Sequence, residues 1–189
     1  QGAYGLSVIT ALTAQNTIGV DAIFPVAIDF LKQQMQTVYC DIRIDAVKVG
    51  MLGTAEVTEA VVGFLGILEC PVVVDPVMVA KGGDRLLHAD AIAALRDLLI
   101  PEATVITPNL PEAADLLGFS EARDRDAMQA QAEALLDLGP QAVLLKGGHL
   151  STQESPDLLM SDGQVRWFDA ARVITCLLYT SDAADDLLC

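Results

Sequence analysis

Residues 71–83 read PVVVDPVMVAKGG. The first five, PVVVD, are continuously apolar up to a terminal carboxylate, so a strand here carries apolar side chains on both faces. Short strand-like segments of related character lie on either side, at residues 45–50 (DAVKVG), 103–107 (ATVIT) and 141–146 (QAVLLK), and residues 6–14 (LSVITALTA) are β-rich as well. Helical spacing fills the intervals. After a Pro start, residues 25–38 place Val26, Ile28, Phe30, Leu31, Met35 and Val38 at roughly helical intervals. Thr54 is a candidate cap for a helix with Val57, Ala60, Val61, Phe64, Leu65 and Leu68 on one face. Residues 88–99, 111–117 and 124–138 read as further helices, and Asp162-Gly163 marks a hairpin between residues 158–160 and 165–168. Strands apolar on both faces and joined by helices predict an α/β fold, a three-layer α/β/α arrangement around a mostly parallel sheet.

The bulk composition agrees. At 189 residues, with 52% hydrophobic and 5% aromatic residues, the chain suits one α/β domain with an aliphatic core. The formal charge of −15 opposes contact with phosphate backbones, which argues against a nucleic-acid partner, although local lysines and N–H groups can still hold a small anion. No apolar run reaches the roughly 18–20 residues of a membrane span, and no signal-peptide pattern is visible. Cys40, Cys70, Cys176 and Cys189 match neither a metal pattern nor a compact disulfide framework, so a cytoplasmic setting is expected.

In sheets of this kind ligands bind beyond the carboxyl ends of the strands, and five such junctions carry chemistry. In TAQNT (residues 13–17), Gln15 offers an amide that donates to and accepts from a heterocycle edge; a polar turn is the plainer reading. In KVGMLG (residues 48–53), two glycines admit close backbone approach around Met51, an adaptable apolar wall or simply a core residue. Asp75, at the end of PVVVD, can hold Mg²⁺ through water, and Lys81 with the two glycines after it could face phosphate. In TPNLPE (residues 107–112), Asn109 and Glu112 lie three apart on one face of a helix start. Stabilising the helix dipole is a sufficient structural use for Glu112 alone. Lys146 followed by Gly147 and Gly148 suits nucleotide phosphates, a cation beside approachable N–H groups, whereas His149 reads as a turn residue. There is no GxxxxGK[ST] loop, no GxGxxG after a strand and no GxSxG elbow, which disfavours P-loop, dinucleotide-binding and α/β-hydrolase chemistry.

Taken together, GAYGLSVITALTAQNT (2–17), KVGMLG (48–53), DPVMVAKGG (75–83), ITPNLPEA (106–113), LLKGGH (144–149) and SPDLL (155–159) resemble the hydroxymethylpyrimidine/phosphomethylpyrimidine kinases of thiamine biosynthesis, members of the ribokinase-like superfamily. The resemblance runs from Gly2 to Thr175 in uninterrupted order. It implies a pyrimidine pocket lined by Gln15, Met51 and Val77. It implies that Asn109 and Glu112 form an NxxE motif organising Mg²⁺ and phosphate, with Asp75 in the metal's outer shell, and that Lys146 and Gly147 approach the ATP phosphates with Lys81 nearby. The implied reaction moves the γ-phosphoryl group of ATP to the hydroxymethyl oxygen, or to an existing phosphate in a second step. A homodimer is implied for the full-length parent. A pyridoxal or pyridoxine kinase and a non-catalytic pyrimidine-binding module are the alternatives.

Two departures from the resemblance shape the expectation. The chain begins at the Gly-Ala-Tyr-Gly stretch, where the resemblance implies an earlier strand. After Arg172-Val173-Ile174-Thr175 comes the glycine-free CLLYTSDAADDLLC (residues 176–189), where the resemblance implies an N-T-H-G-T-G-C segment. That segment opens a helix whose N–H groups hold the transferred phosphate, and it carries the catalytic residue. Residues 1–175 are therefore expected to be a partial kinase domain cut at both ends, with its anion-hole and catalytic segment missing after Thr175 and with impaired turnover. Residues 176–189 are expected to be a foreign tail.

Overall fold

A computed structural model of the chain describes residues 2–16, 19–78, 89–151 and 154–172. In chain order its strands are β1 (Ala11–Gln15), β2 (Val20–Pro25), β3 (Val47–Val49), β4 (Val72–Val74), β5 (Val105–Ile106), β6 (Ala142–Leu145), β7 (Asp157–Ser161) and β8 (Gln164–Phe168). The helices are α1 (Ile28–Asp41), α2 (Ala55–Leu65), α3 (Ala89–Ala94), α4 (Leu110–Leu117) and α5 (Arg125–Leu136). The helical run of α3 continues through a π-turn at Leu95–Leu99 and a 3₁₀ turn at Ile100–Glu102.

Strands β3 to β8 form one sheet in sequence order. The β3–β4, β4–β5 and β5–β6 pairs are parallel, and β6–β7 and β7–β8 are antiparallel. Parallel neighbours require crossovers, and a helix supplies each one. The β7–β8 link is the tight turn that Asp162-Gly163 predicts, with both residues at positive φ (48° and 72°), as a two-residue hairpin twisted with its strands demands.

The register separates two sheet faces. Val49, Val74, Ile106, Val143 and Met160 fall in line on one face, each buried. Every strand side chain of the buried cluster belongs to this face, where it joins Leu31, Val61, Leu95, Leu110, Met128 and other helix residues. Val73, Val105, Leu144 and Leu159 line the opposite face and are only partly buried. The helix ends follow ordinary capping chemistry. Thr54 Oγ1 accepts from the Val57 N–H at 3.2 Å, and Asp124 caps α5 through the Ala127 N–H at 2.8 Å.

The amino-terminal region departs from the sequence reading. Residues 6–14 are expected to supply a sheet strand and residues 25–38 a helix starting at Pro25. Instead β1 pairs antiparallel with β2 in a separate two-stranded sheet, Pro25 ends β2, and α1 starts at Ile28. The reason lies in the turn. Asn16 N–H donates to the Gly19 carbonyl at 3.0 Å, and the Gly19 N–H donates to Asn16 Oδ1 at 3.1 Å. A link this short reverses the chain, whereas a parallel crossover needs about a dozen residues. The hairpin is rooted on the main body through Thr10 Oγ1, which donates to the Met51 carbonyl at 2.8 Å, and through Gln34 of α1, which meets both backbone groups of Ile9.

Candidate active site

Parallel pairing brings the carboxyl ends of β3 to β6 side by side. The ladder runs past the named strands: the Asp75 N–H donates to the Val49 carbonyl at 2.8 Å, Thr107 to Val74 at 2.9 Å, and Lys146 to Pro108 at 2.9 Å. Asp75, Asn109 and Lys146 therefore follow the ends of adjacent strands: Asp75 continues the register to Thr107, two residues before Asn109, and Asn109 and Lys146 form a single parallel bridge.

Lys146 Nζ donates to Asp75 Oδ1 at 3.0 Å. Lys48 Nζ approaches Asp75 Oδ2 at 3.9 Å from a largely exposed side chain. Beside them Asn109 and Glu112 form a reciprocal capping box. The Asn109 N–H donates to Glu112 Oε2 at 2.8 Å, and the Glu112 N–H donates to Asn109 Oδ1 at 2.9 Å. Pro111 in the first turn and Gly118 at φ 67° after the last suit the two ends of this short helix. Glu112 is 6% exposed. Burial raises its carboxyl above the ordinary value; the Asn109 N–H and the Lys146 charge pull it back, and the Asp75 charge adds to the rise.

The arrangement can neutralise and orient a polyanion. The Asp75 carboxylate is met by two ammonium groups, Lys146 at 3.0 Å and Lys48 at 3.9 Å, and Lys146 stands at the end of a strand that runs into Gly147-Gly148. Among the described residues no three His, Cys, Asp or Glu side chains converge as a metal cage. Mg²⁺ keeps several waters and takes one or two protein carboxylates plus phosphate oxygens, so Asp75 and Glu112 are the carboxylates here that could hold it.

The other residues singled out from the sequence are distributed as follows. Met51 follows β3 and Val77 follows β4, both half-buried on neighbouring loops. Gln15 is exposed at the end of β1, and among the described residues no hydrogen bond or ion pair joins it to the Asp75 cluster. Lys81 lies outside the described residues. So does Thr175, the expected end of the kinase portion, together with the rest of residues 173–189, so the boundary expected after Thr175 falls where the structure describes nothing. The described chain ends three residues earlier, at Arg172. His149 sits in a turn, as read. Three contributors escape the sequence reading. Lys48 figures there only as part of a glycine loop. Asp157, within SPDLL, accepts the Gly147 N–H at 2.9 Å, and Arg172 Nη1 donates to the Gly148 carbonyl at 2.9 Å. A separate cleft of about 590 Å³ between Tyr39, Ile44, Leu68 and Cys70 opens at the amino end of the strands, away from this cluster.

A model of the phosphomethylpyrimidine kinase family matches residues 1–177. The chain belongs to that family. The hydroxymethylpyrimidine/phosphomethylpyrimidine kinase of Escherichia coli is 47% identical over 175 residues, covering 92% of this chain and 66% of the relative. The chain thus spans slightly less than two thirds of that relative's length. Among solved structures, phosphomethylpyrimidine kinase from Clostridium difficile superposes with a TM-score of 0.81 at 42% identity, covering 88% of this chain and 72% of that one. Pyridoxal kinase from Staphylococcus aureus, in complex with AMP-PCP and pyridoxal, gives a TM-score of 0.79 at 29% identity over 89% of this chain and 61% of that one. The family fixes the fold class as ribokinase-like, three-layer α/β/α with a mostly parallel sheet. The sheet and the buried helical layer described above belong to that class.

Proposed function

We propose that the protein carrying this chain is an ATP- and Mg²⁺-dependent kinase that phosphorylates hydroxymethylpyrimidine and its monophosphate in thiamine biosynthesis. The observation that carries the reading is the Lys146–Asp75 pair beside the Asn109–Glu112 box, set on adjacent strand ends. Phosphoryl transfer asks mainly for positioning and charge neutralisation, and this is what the cluster offers. In this reading Lys146 meets the nucleotide phosphates and Gly147 brings backbone close to them. Asp75 and Glu112 hold the cation, whose charge offsets that of the phosphates, and Asn109 orients Glu112. Lys81 joins the phosphate side, and Gln15, Met51 and Val77 form the pyrimidine wall.

Membership of the family and 47% identity to the Escherichia coli enzyme support the pyrimidine over pyridoxal, whose kinase from Staphylococcus aureus is 29% identical. The test is ADP release by the gene product that carries this chain, with hydroxymethylpyrimidine, its monophosphate and pyridoxal compared at equal concentrations. Faster turnover of pyridoxal than of either pyrimidine overturns the substrate assignment.

A homodimer belongs to the same reading. The β1–β2 hairpin supports it, because Leu12 and Phe24 sit opposite one another at 56% and 69% exposure. A pair of this kind calls for an apolar partner surface. Sedimentation equilibrium of the unaltered protein and of Phe24→Asp tests it, and equal monomeric masses would refute the dimer.

A further inference from the structure

We propose that Asp157 is a positioning residue for the turn that carries Lys146 and Gly147, an inference that rests on the reading of Lys146 as a nucleotide ligand. Strand β7 returns antiparallel to β6, with Leu145 opposite Leu158. One step further along that register, Lys146 would face Asp157. The ladder stops there, because β6 ends at Leu145 and the chain turns away. The Gly147 N–H is thereby deprived of a strand partner, and the Asp157 carboxylate supplies one at 2.9 Å. An N–H donated to a carboxylate is stronger than a neutral bond, so it fixes the backbone directly after Lys146.

The surroundings hold the same turn from other sides. A methyl group added at Gly147 would stand 1.9 Å from the Pro156 carbonyl oxygen, so the chain before Asp157 lies flush against the turn. On the acceptor side, the Arg172 guanidinium donates to the Gly148 carbonyl at 2.9 Å and also to the Leu150 carbonyl. The turn is thus gripped by a carboxylate on its donor and a guanidinium on its acceptors. A lysine on a four-carbon stem is costly to order; fixing its backbone origin limits the volume its ammonium group can explore.

Two readouts on the 189-residue chain test the proposal. The first is calorimetric titration with ATP in the presence of Mg²⁺. Asp157→Ala should weaken binding by about tenfold, the scale of one lost charge-assisted hydrogen bond. Asp157→Asn, which keeps an oxygen acceptor, should stay within about threefold of the unaltered chain. Unchanged affinity in Asp157→Ala, with Lys146→Met weakened, overturns the inference and leaves the nucleotide reading standing. Lys146→Met binding as well as the unaltered chain overturns both. The second readout is amide hydrogen exchange at Gly147, which needs no ligand. Asp157→Ala should accelerate it at least tenfold, with the amides of β6 still protected, and Asp157→Asn should not. Equal Gly147 protection in all three chains sinks the proposal even if ATP fails to bind, and so does joint loss of protection across β6 in Asp157→Asn.

Discussion

The Lys146 ammonium group pairs with the Asp75 carboxylate across an intervening strand, since Asp75 follows β4, Lys146 follows β6 and β5 lies between them. The two side chains keep 37% and 22% of their exposure, so the pair is screened only in part. In this pair the cation proposed for phosphate and the anion proposed for Mg²⁺ neutralise one another.

On the proposed reading, with Lys146 meeting ATP and Asp75 the cation, that pairing would make metal and nucleotide binding interdependent: metal-free ATP would compete with Asp75 for Lys146, whereas a cation engaged by Asp75 would release the lysine. Asp75→Asn should bind metal-free ATP more tightly than the unaltered chain, by about fivefold or more, and should gain little from added Mg²⁺. Titrations with and without a chelator measure both effects. Weaker metal-free binding in Asp75→Asn would show that the pair does not gate Lys146.

The turn after Lys146 makes a steric prediction. Gly147→Ala drives a methyl group into the Pro156 carbonyl, so a shift of backbone is unavoidable. The expected loss is about 1–3 kcal/mol of folding stability, the range for overpacked sites. At Gly148 the same methyl would meet Ser155 Oγ at 3.5 Å, an ordinary contact, and Gly148→Ala should change stability by less than about 0.5 kcal/mol. Urea unfolding of the two variants side by side checks the contrast.

How far the sequence could be read depends on the range of the interactions. Thr54, Glu112 and Asp162-Gly163 were legible because capping and turn chemistry act within three residues. The strand ends were legible because an apolar run that stops at Asp75 or Lys146 marks both an element and its boundary. Lys48 and Asp157 were not, because each acquires its role from a residue on another strand. The hairpin was missed for a related reason. Residues 20–25 (VDAIFP) carry no clean alternation, and the Asn16–Gly19 hydrogen bonds that reverse the chain are visible only in three dimensions.

Asn109 carries a structural role that can be separated from any contact with ligand. Its side chain caps α4, so Asn109→Ala should cost about 1 kcal/mol of stability, and Asn109→Ser, which keeps a capping oxygen, should recover most of it. If Asn109 also orients Glu112 for the cation, Asn109→Ser should still show weakened Mg²⁺-dependent ATP binding despite its recovered stability. Recovery of both in parallel would reduce Asn109 to a cap.

Glu112 gives the pH dependence its sign. Burial raises its carboxyl in the folded chain, so the folded state holds the proton more tightly than the unfolded state. Protonation therefore favours folding. The contribution from this residue is greatest below the ordinary carboxylate range, falls as pH climbs from the unfolded value through the raised folded one, and is then level. Glu112→Gln removes the charge and keeps an oxygen to accept the Asn109 N–H. At about pH 7 the variant should be at least as stable as the unaltered chain, and its advantage should shrink as the pH is lowered through that window. The same substitution removes a carboxylate proposed for the cation, so Mg²⁺-dependent ATP binding should fall while stability does not. Urea unfolding across a pH series, paired with titration, reads both quantities on one sample. A variant less stable at neutral pH, with its deficit narrowing as the pH falls, would mean that the ionised carboxylate supports the fold and that its hydrogen bond to Asn109 outweighs the burial of its charge.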